Sequence, residues 1–116
     1  MTDKIVLLVT CSSASEARKI ARSLVKRRLA ACVNVLGTPV ESIYWWKGKV
    51  ESAKERVLVI KTSRSRFVAV QDEVRRLHGY DVPEIIGLPI VAGSRDYLSW
   101  IAESVRGEKK PRKKRR

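Results

Sequence analysis

Apolar positions run along this chain in two rhythms, and the switches between them mark its elements. Lys4–Thr10 reads KIVLLVT, an apolar β-forming run without helical period. It predicts a strand buried on both faces. Ser13-Ala-Ser-Glu16 follows, a capping-box pattern in which the Ser and Glu side chains satisfy each other's free backbone donors. Ala17, Ile20, Ala21, Leu24 and Val25 then recur at helical spacing, and Lys26, Arg27 and Arg28 close the stripe where positive charge suits the helix dipole. Ala30 to Trp46 is rich in β-formers and far longer than a typical strand of about 5–6 residues. Gly37 and Pro39 interrupt it, so two collinear pieces with a kink or bulge are expected. Lys47-Gly48 makes a tight turn, and Val50–Thr62 returns as a strand whose ERVLVIKT end is again near-continuously apolar.

The helical rhythm resumes after Ser65, a suitable N-cap, with Phe67, Val70, Val74 and Leu77. It stops at His78-Gly79, where the glycine is placed for a left-handed cap. Tyr80–Pro83 reads as a turn. Glu84–Val91 reads as a strand, edge or bulged because of Pro89. Gly93 and Ser94 open a last helix with Leu98, Ile101, Ala102 and Val105 inward. The order β-α-β-β-α-β-α predicts an α+β, ferredoxin-like sandwich: an antiparallel sheet with helices on one face and a long protruding β-hairpin. Residues 1–106 form its single domain. Residues 107–116 contain no apolar side chain and read as a basic, disordered tail.

The hairpin overhangs what the other strands can cover, and it carries Ile43, Tyr44, Trp45 and Trp46. Either the tryptophans fold back on their own domain, or the hairpin pairs with another chain in a closed oligomer. Alternation sends only one of the two tryptophans to each face, which favours the oligomer.

Composition narrows the function. The 116 residues hold 25 Lys+Arg against 12 Asp+Glu, a net charge of +13, and seven of those basic residues lie in the last ten positions. The folded part is therefore less basic than the whole. No apolar run approaches the roughly 20 residues of a membrane span or the 7–15 of a signal-peptide core. Two cysteines without a C-x-x-C spacing give no zinc or redox framework. A reduced, cytoplasmic protein is expected.

Fold alone does not set function. An RNA-recognition domain shares this element order, but it needs stacking aromatics on a central strand, and Glu55–Thr62 has none. An acyl-phosphate hydrolase would want an anion-cradling loop after the first strand, and Thr10–Ala14 lacks glycine. His78 is the single histidine, so no Ser–His–Asp set can form. It reads as a structural hydrogen-bonder, or as a metal ligand or polar anchor of a cleft. Cys11 and Cys32 read as core fillers. Lys61, at the end of a buried strand, either pairs with Glu51 or Glu84 or snorkels to water.

Several blocks carry a family resemblance: Ala30-Ala-Cys-Val-Asn34, Ser42-Ile-Tyr-Trp-Trp-Lys-Gly-Lys-Val-Glu51, Ile60-Lys-Thr62, His78-Gly-Tyr-Asp-Val-Pro-Glu-Ile-Ile86, Leu88-Pro-Ile90 and Tyr97-Leu-Ser-Trp-Ile101. Together, from about Ile5 to Val105, they resemble the CutA1 family of divalent-ion tolerance proteins. The resemblance implies a non-enzymatic, cytoplasmic homotrimer of ferredoxin-like subunits, similar to PII signalling proteins. It also implies a role in tolerance to divalent metals, notably copper, with no obligatory cofactor. Gly79 stands where the family usually has Pro. Val9 and Leu77 stand where some members carry extra thiol or imidazole ligands, which leaves His78 as the matching ligand type for Cu(II) or another divalent cation.

A cleft is expected between subunits, where Trp46, Glu51 and Lys61 of one hairpin meet His78, Tyr80, Asp81 and Glu84 of a neighbour. Such a mixture suits a small polar ligand or a weakly held divalent ion. Alternatively, the same groups form a salt-bridge network that only stabilises the trimer. The competing function class is a PII-like signalling module, or a binder of nucleic acid or an acidic partner through Lys109–Arg116.

Overall fold

The structure, a computed structural model, describes residues 2–107. The expected order is present, with the long second strand in two pieces. These are β1 (Lys4–Cys11), α1 (Ala14–Lys26), β2 (Cys32–Val35), β3 (Val40–Trp46), β4 (Lys49–Ser63), α2 (Phe67–Leu77), β5 (Ile85–Pro89) and α3 (Arg95–Arg106). The sheet runs β2-β4-β1-β5, every pair antiparallel, and β3 pairs with the far end of β4. β2 and β3 thus lie end to end along one long strand, separated at Gly37 and Pro39 as their sequence dictates. The basic segment expected to be a disordered tail lies, from residue 108 on, outside the described residues.

Local chemistry explains the joints. Lys47 and Gly48 both take positive φ, 50° and 78°, the two-residue hairpin turn whose twist matches its strands. Ser13 caps α1 by accepting from the Glu16 N–H at 3.1 Å. The capping box is only half made, because the Glu16 carboxylate passes over Ser13. It accepts from the N–H of Ser12 at 3.2 Å and of Gly79 at 3.0 Å. Ser65 does not cap α2. It sits inside a 3-10 turn, Arg64–Arg66, whose Arg64 carbonyl already takes the Phe67 N–H. Gly79 is not left-handed either. The chain leaves α2 through His78 in extended conformation, φ −88° and ψ 142°, after the His78 N–H has closed on Val74 O. The left-handed glycine cap is used by α3, at Gly107.

β1 is not buried on both faces within one chain. Ile5, Leu7, Val9 and Cys11 are buried, and with Leu58 and Ile60 of β4 they form a core with Ala17, Ile20 and Leu24 of α1 and Val70 and Val74 of α2. By strand alternation Val6 and Leu8 face the other way, beside Val59 and Lys61 of β4 and Ile86 and Leu88 of β5. That face stays half open, with Ile86 and Leu88 about half exposed. α3 rests on a smaller, separate cluster of Ala31, Ile101 and Val105. Pro89 lies on β5, which pairs with β1 alone, so its missing N–H costs no ladder bond.

Candidate functional site

At the end of the sheet where β1 stops, β4 continues alone into the hairpin. There a cleft of about 680 Å³ opens between the hairpin and the segment after α2. Ser42, Tyr44 and Trp46 reach it from alternate positions of β3, and Glu55 from β4. Tyr80, Asp81 and Glu84 close it from the other side. Register places Val40 opposite Glu55 and Tyr44 opposite Glu51, so Ser42, Tyr44, Trp46 and Glu55 share one hairpin face.

Within one chain the hairpin and the 78–84 segment already line a common cleft. It brings together four of the six predicted ligand residues, Trp46, Tyr80, Asp81 and Glu84, and it omits two. Glu51 stands opposite Tyr44 on β4 but is not among the residues lining the cleft. Lys61 lies six residues down β4 from Glu55, about 20 Å away, between Val6 and Cys32. Among the described residues no carboxylate oxygen lies within 4.0 Å of Lys61, so the expected pairing with Glu51 or Glu84 is not made and its partly exposed side chain snorkels. Sequence reasoning missed Tyr44 and Glu55. The signal for both was their parity with Trp46 across the hairpin.

His78 is buried directly behind the cleft wall. Its Nε2 donates to Thr10 O at 2.6 Å, and its Nδ1 accepts the Tyr80 N–H at 3.1 Å, which sets the Nε2-protonated tautomer. Its ring lies 4.7 Å from that of Tyr80. Beside it stand Cys11 and Glu16; one donor atom from each of the three residues lies within 4.8 Å of the others. Burial first, then the charges of Glu16 and Glu55, push the Cys11 thiol up to about 12. The Gly79 N–H serves Glu16 here, a donor that a proline in its place could not supply.

In kind, a thiol, a carboxylate and an imidazole suit a borderline divalent ion. In this arrangement each donor is already engaged. A cation must displace the Thr10 bond of His78, the thiol proton of Cys11 and part of the Glu16 network. Cys11 and Glu16 were not predicted as ligands. Their spacing, five residues across the end of β1 and the start of α1, was readable only once His78 had a place.

Tyr80 is held above its ordinary range, at about 12, by burial first and then by the Glu55 carboxylate its hydroxyl meets. A second, larger groove of about 920 Å³ lies between α1 and β2. Its floor is apolar, from Ala21, Val33 and Val35, and its rim carries Arg18, Arg22, Lys26 and Arg56. Among the described residues no helix is long and apolar enough to cross a membrane.

Comparison with known proteins places the fold and the sequence together. The family model described as CutA1 divalent ion tolerance protein matches residues 5–104. The divalent-cation tolerance protein CutA of Thermus thermophilus is 46% identical over 99 residues, covering 85% of this chain and 95% of that protein. The chloroplastic protein CutA 1 of Oryza sativa is 43% identical over 102 residues, 88% of this chain but 57% of that longer protein. The solved structure of the periplasmic divalent cation tolerance protein CutA from Archaeoglobus fulgidus superimposes with a TM-score of 0.85 at 40% identity, covering 88% of this chain and 98% of that one. With half-open sheet, split second strand and hairpin cleft all in place, this chain belongs to the CutA1 family of divalent ion tolerance proteins.

Proposed function

We propose that this chain acts in divalent metal tolerance as a non-enzymatic, cytoplasmic homotrimer. It holds Cu(II), or another divalent cation, as cargo, and a small ligand in the adjacent cleft. The observation that carries the metal reading is the convergence of Cys11, Glu16 and His78, whose donor atoms lie within 4.8 Å of one another. The open sheet face supports assembly. Val6, Leu8, Val59, Ile86 and Leu88 form an apolar surface that one chain leaves partly wet, and Ile43 and Trp45 on the hairpin are 70% and 73% exposed. Burying such surface is what obligate interfaces do.

The test is calorimetric titration of the full chain with Cu(II), beside light scattering. His78→Ala is expected to lower Cu(II) affinity at least tenfold, about 1.4 kcal/mol, with the assembly kept at three times the chain mass. Unchanged affinity together with lower stability would overturn the metal assignment.

A second reading rests on the basic groove. Arg18, Arg22 and Lys26 recur along one stripe of α1 beside Arg56, with no acidic residue on the rim. This arrangement suits an acidic partner or a nucleic-acid backbone, as a PII-like signalling module or a binder would use. Steeply salt-dependent DNA binding, lost in Arg18→Ala/Arg22→Ala, would favour it.

A further inference from the structure

The hairpin cleft has a charge opposite to that of the protein around it. Glu55, Asp81 and Glu84 line it and no Lys or Arg does, in a chain of net charge +13. Its walls are aromatic: Tyr44, Trp46 and Tyr80 are each about two-fifths exposed, with ring surface free to meet a ligand.

Glu55 is the independent sign of what belongs there. It is only 7% exposed, yet among the described residues no Lys, Arg or His nitrogen lies within 4.0 Å of its carboxylate. Its partner is the neutral hydroxyl of Tyr80. Taking a carboxylate out of water without a countercharge is costly, and a cation in the cleft removes that cost.

The arrangement of the acids does not suit a point-like ion held by all three. Hard divalent cations gather their oxygens at roughly 2.0–2.6 Å, which draws the ligands close to one another. Glu55, Asp81 and Glu84 do not converge in this way. Among the described residues the group of three donors that does is Cys11, Glu16 and His78. Three dispersed carboxylates around aromatic faces fit a larger, diffuse charge. Alkylammonium and guanidinium groups are such charges, and they are attracted to Tyr and Trp faces by about 0.5–2 kcal/mol per contact.

We propose that this cleft binds an organic cation, its ammonium or guanidinium group set against Tyr44, Trp46 and Tyr80 and neutralised by Glu55 with Asp81 and Glu84. The proposal rests on the reading of the cleft as a ligand site and names the class of that ligand. The same chemistry is offered by a free polyamine and by the Lys and Arg side chains of a basic peptide. Residues 108–116 of this chain, EKKPRKKRR, have that composition themselves.

The experiment is an amide-shift NMR titration of the full chain at low salt, with separate arms for spermidine, a synthetic EKKPRKKRR peptide, tetramethylammonium and citrate. Saturable shifts at Tyr44, Trp46, Tyr80 and Asp81 with spermidine or the peptide support the proposal, and whichever arm saturates identifies the source. Tetramethylammonium should compete with it. Glu55→Gln keeps the side-chain volume and a partner for Tyr80, and Trp46→Ala removes a wall; each should weaken binding at least tenfold. Asp81→Asn, at an exposed loop position, guards against a folding defect and should weaken binding severalfold. Equal binding by all three variants means diffuse surface attraction and overturns the proposal. Citrate binding at these signals with no response to cations overturns the ligand class while leaving a ligand cleft. No response in any arm removes the cleft as a ligand site altogether.

Discussion

The ring of His78 hangs from the backbone of Thr10, with Nε2 donating to the Thr10 carbonyl at 2.6 Å across the gap between α2 and the end of β1. Its other nitrogen accepts from Tyr80, so one side chain locks the floor of the cleft to the sheet. This bond also turns the chain out of α2 before Gly79 can take a left-handed cap.

Replacing His78 by Leu leaves the Thr10 carbonyl and the Tyr80 N–H without these partners in a buried place. The expected cost is about 1–3 kcal/mol of stability. Denaturant titration of the variant checks it; a midpoint equal to wild type would show that the ring bonds are dispensable.

Glu73 ties α2 to α1. It is buried and accepts from Arg76 at 2.7 and 2.9 Å, from Ser23, and from Arg27 at 3.3 Å. The Arg76 bonds first, then Ser23, hold its carboxyl at about 2, below the usual 4.5. A folded-state value below the unfolded one means that the stabilisation is present above about pH 4.5 and fades as pH falls towards 2. Acid unfolding followed by circular dichroism should therefore steepen in that window, and Glu73→Gln should flatten the profile there. Identical wild-type and variant profiles would refute the link.

Tyr80 supplies the opposite limb. Its phenol is raised to about 12 from the usual 10, so the fold favours the protonated form. The associated stability is present below pH 10 and lost as pH rises through 12. Ultraviolet titration should show one tyrosine ionising late, and Tyr80→Phe should abolish that step. A late step that persists in the variant would assign it to Tyr44 or Tyr97.

Leu8 and Leu58 separate core from interface. Leu58 is fully buried under α1 and α2, and Leu58→Ala should cost about 2–5 kcal/mol. Leu8 points to the open face, and Leu8→Lys should instead reduce the assembled mass while leaving the secondary structure intact. Sedimentation at several concentrations distinguishes the two. An unchanged mass for Leu8→Lys would remove this face from the interface.

Periodicity alone determined the element order, the break at Gly37 and Pro39, the Lys47-Gly48 turn and the edge position of Pro89, because each follows from local backbone chemistry or side-chain period. It also placed His78, Tyr80, Asp81 and Glu84 together, since they are neighbours in sequence. The capping of α2 was misread because Ser65 lies inside the 3-10 turn that leads into the helix, so Arg66 takes the N-cap position and no side chain caps it. Glu16 also misled: its carboxylate has a better partner in Gly79, sixty-three residues away, than in Ser13. The roles of Glu51, Lys61, Glu55 and Cys11 depended on long-range register. Whether β4 carries a residue into the cleft or past it turns on which residue faces Tyr44 and Val40. Alternation fixes the two faces of a strand, but only the pairing of β4 with β1 and β3 fixes what lies opposite each residue, and no local signal in the chain encodes that pairing.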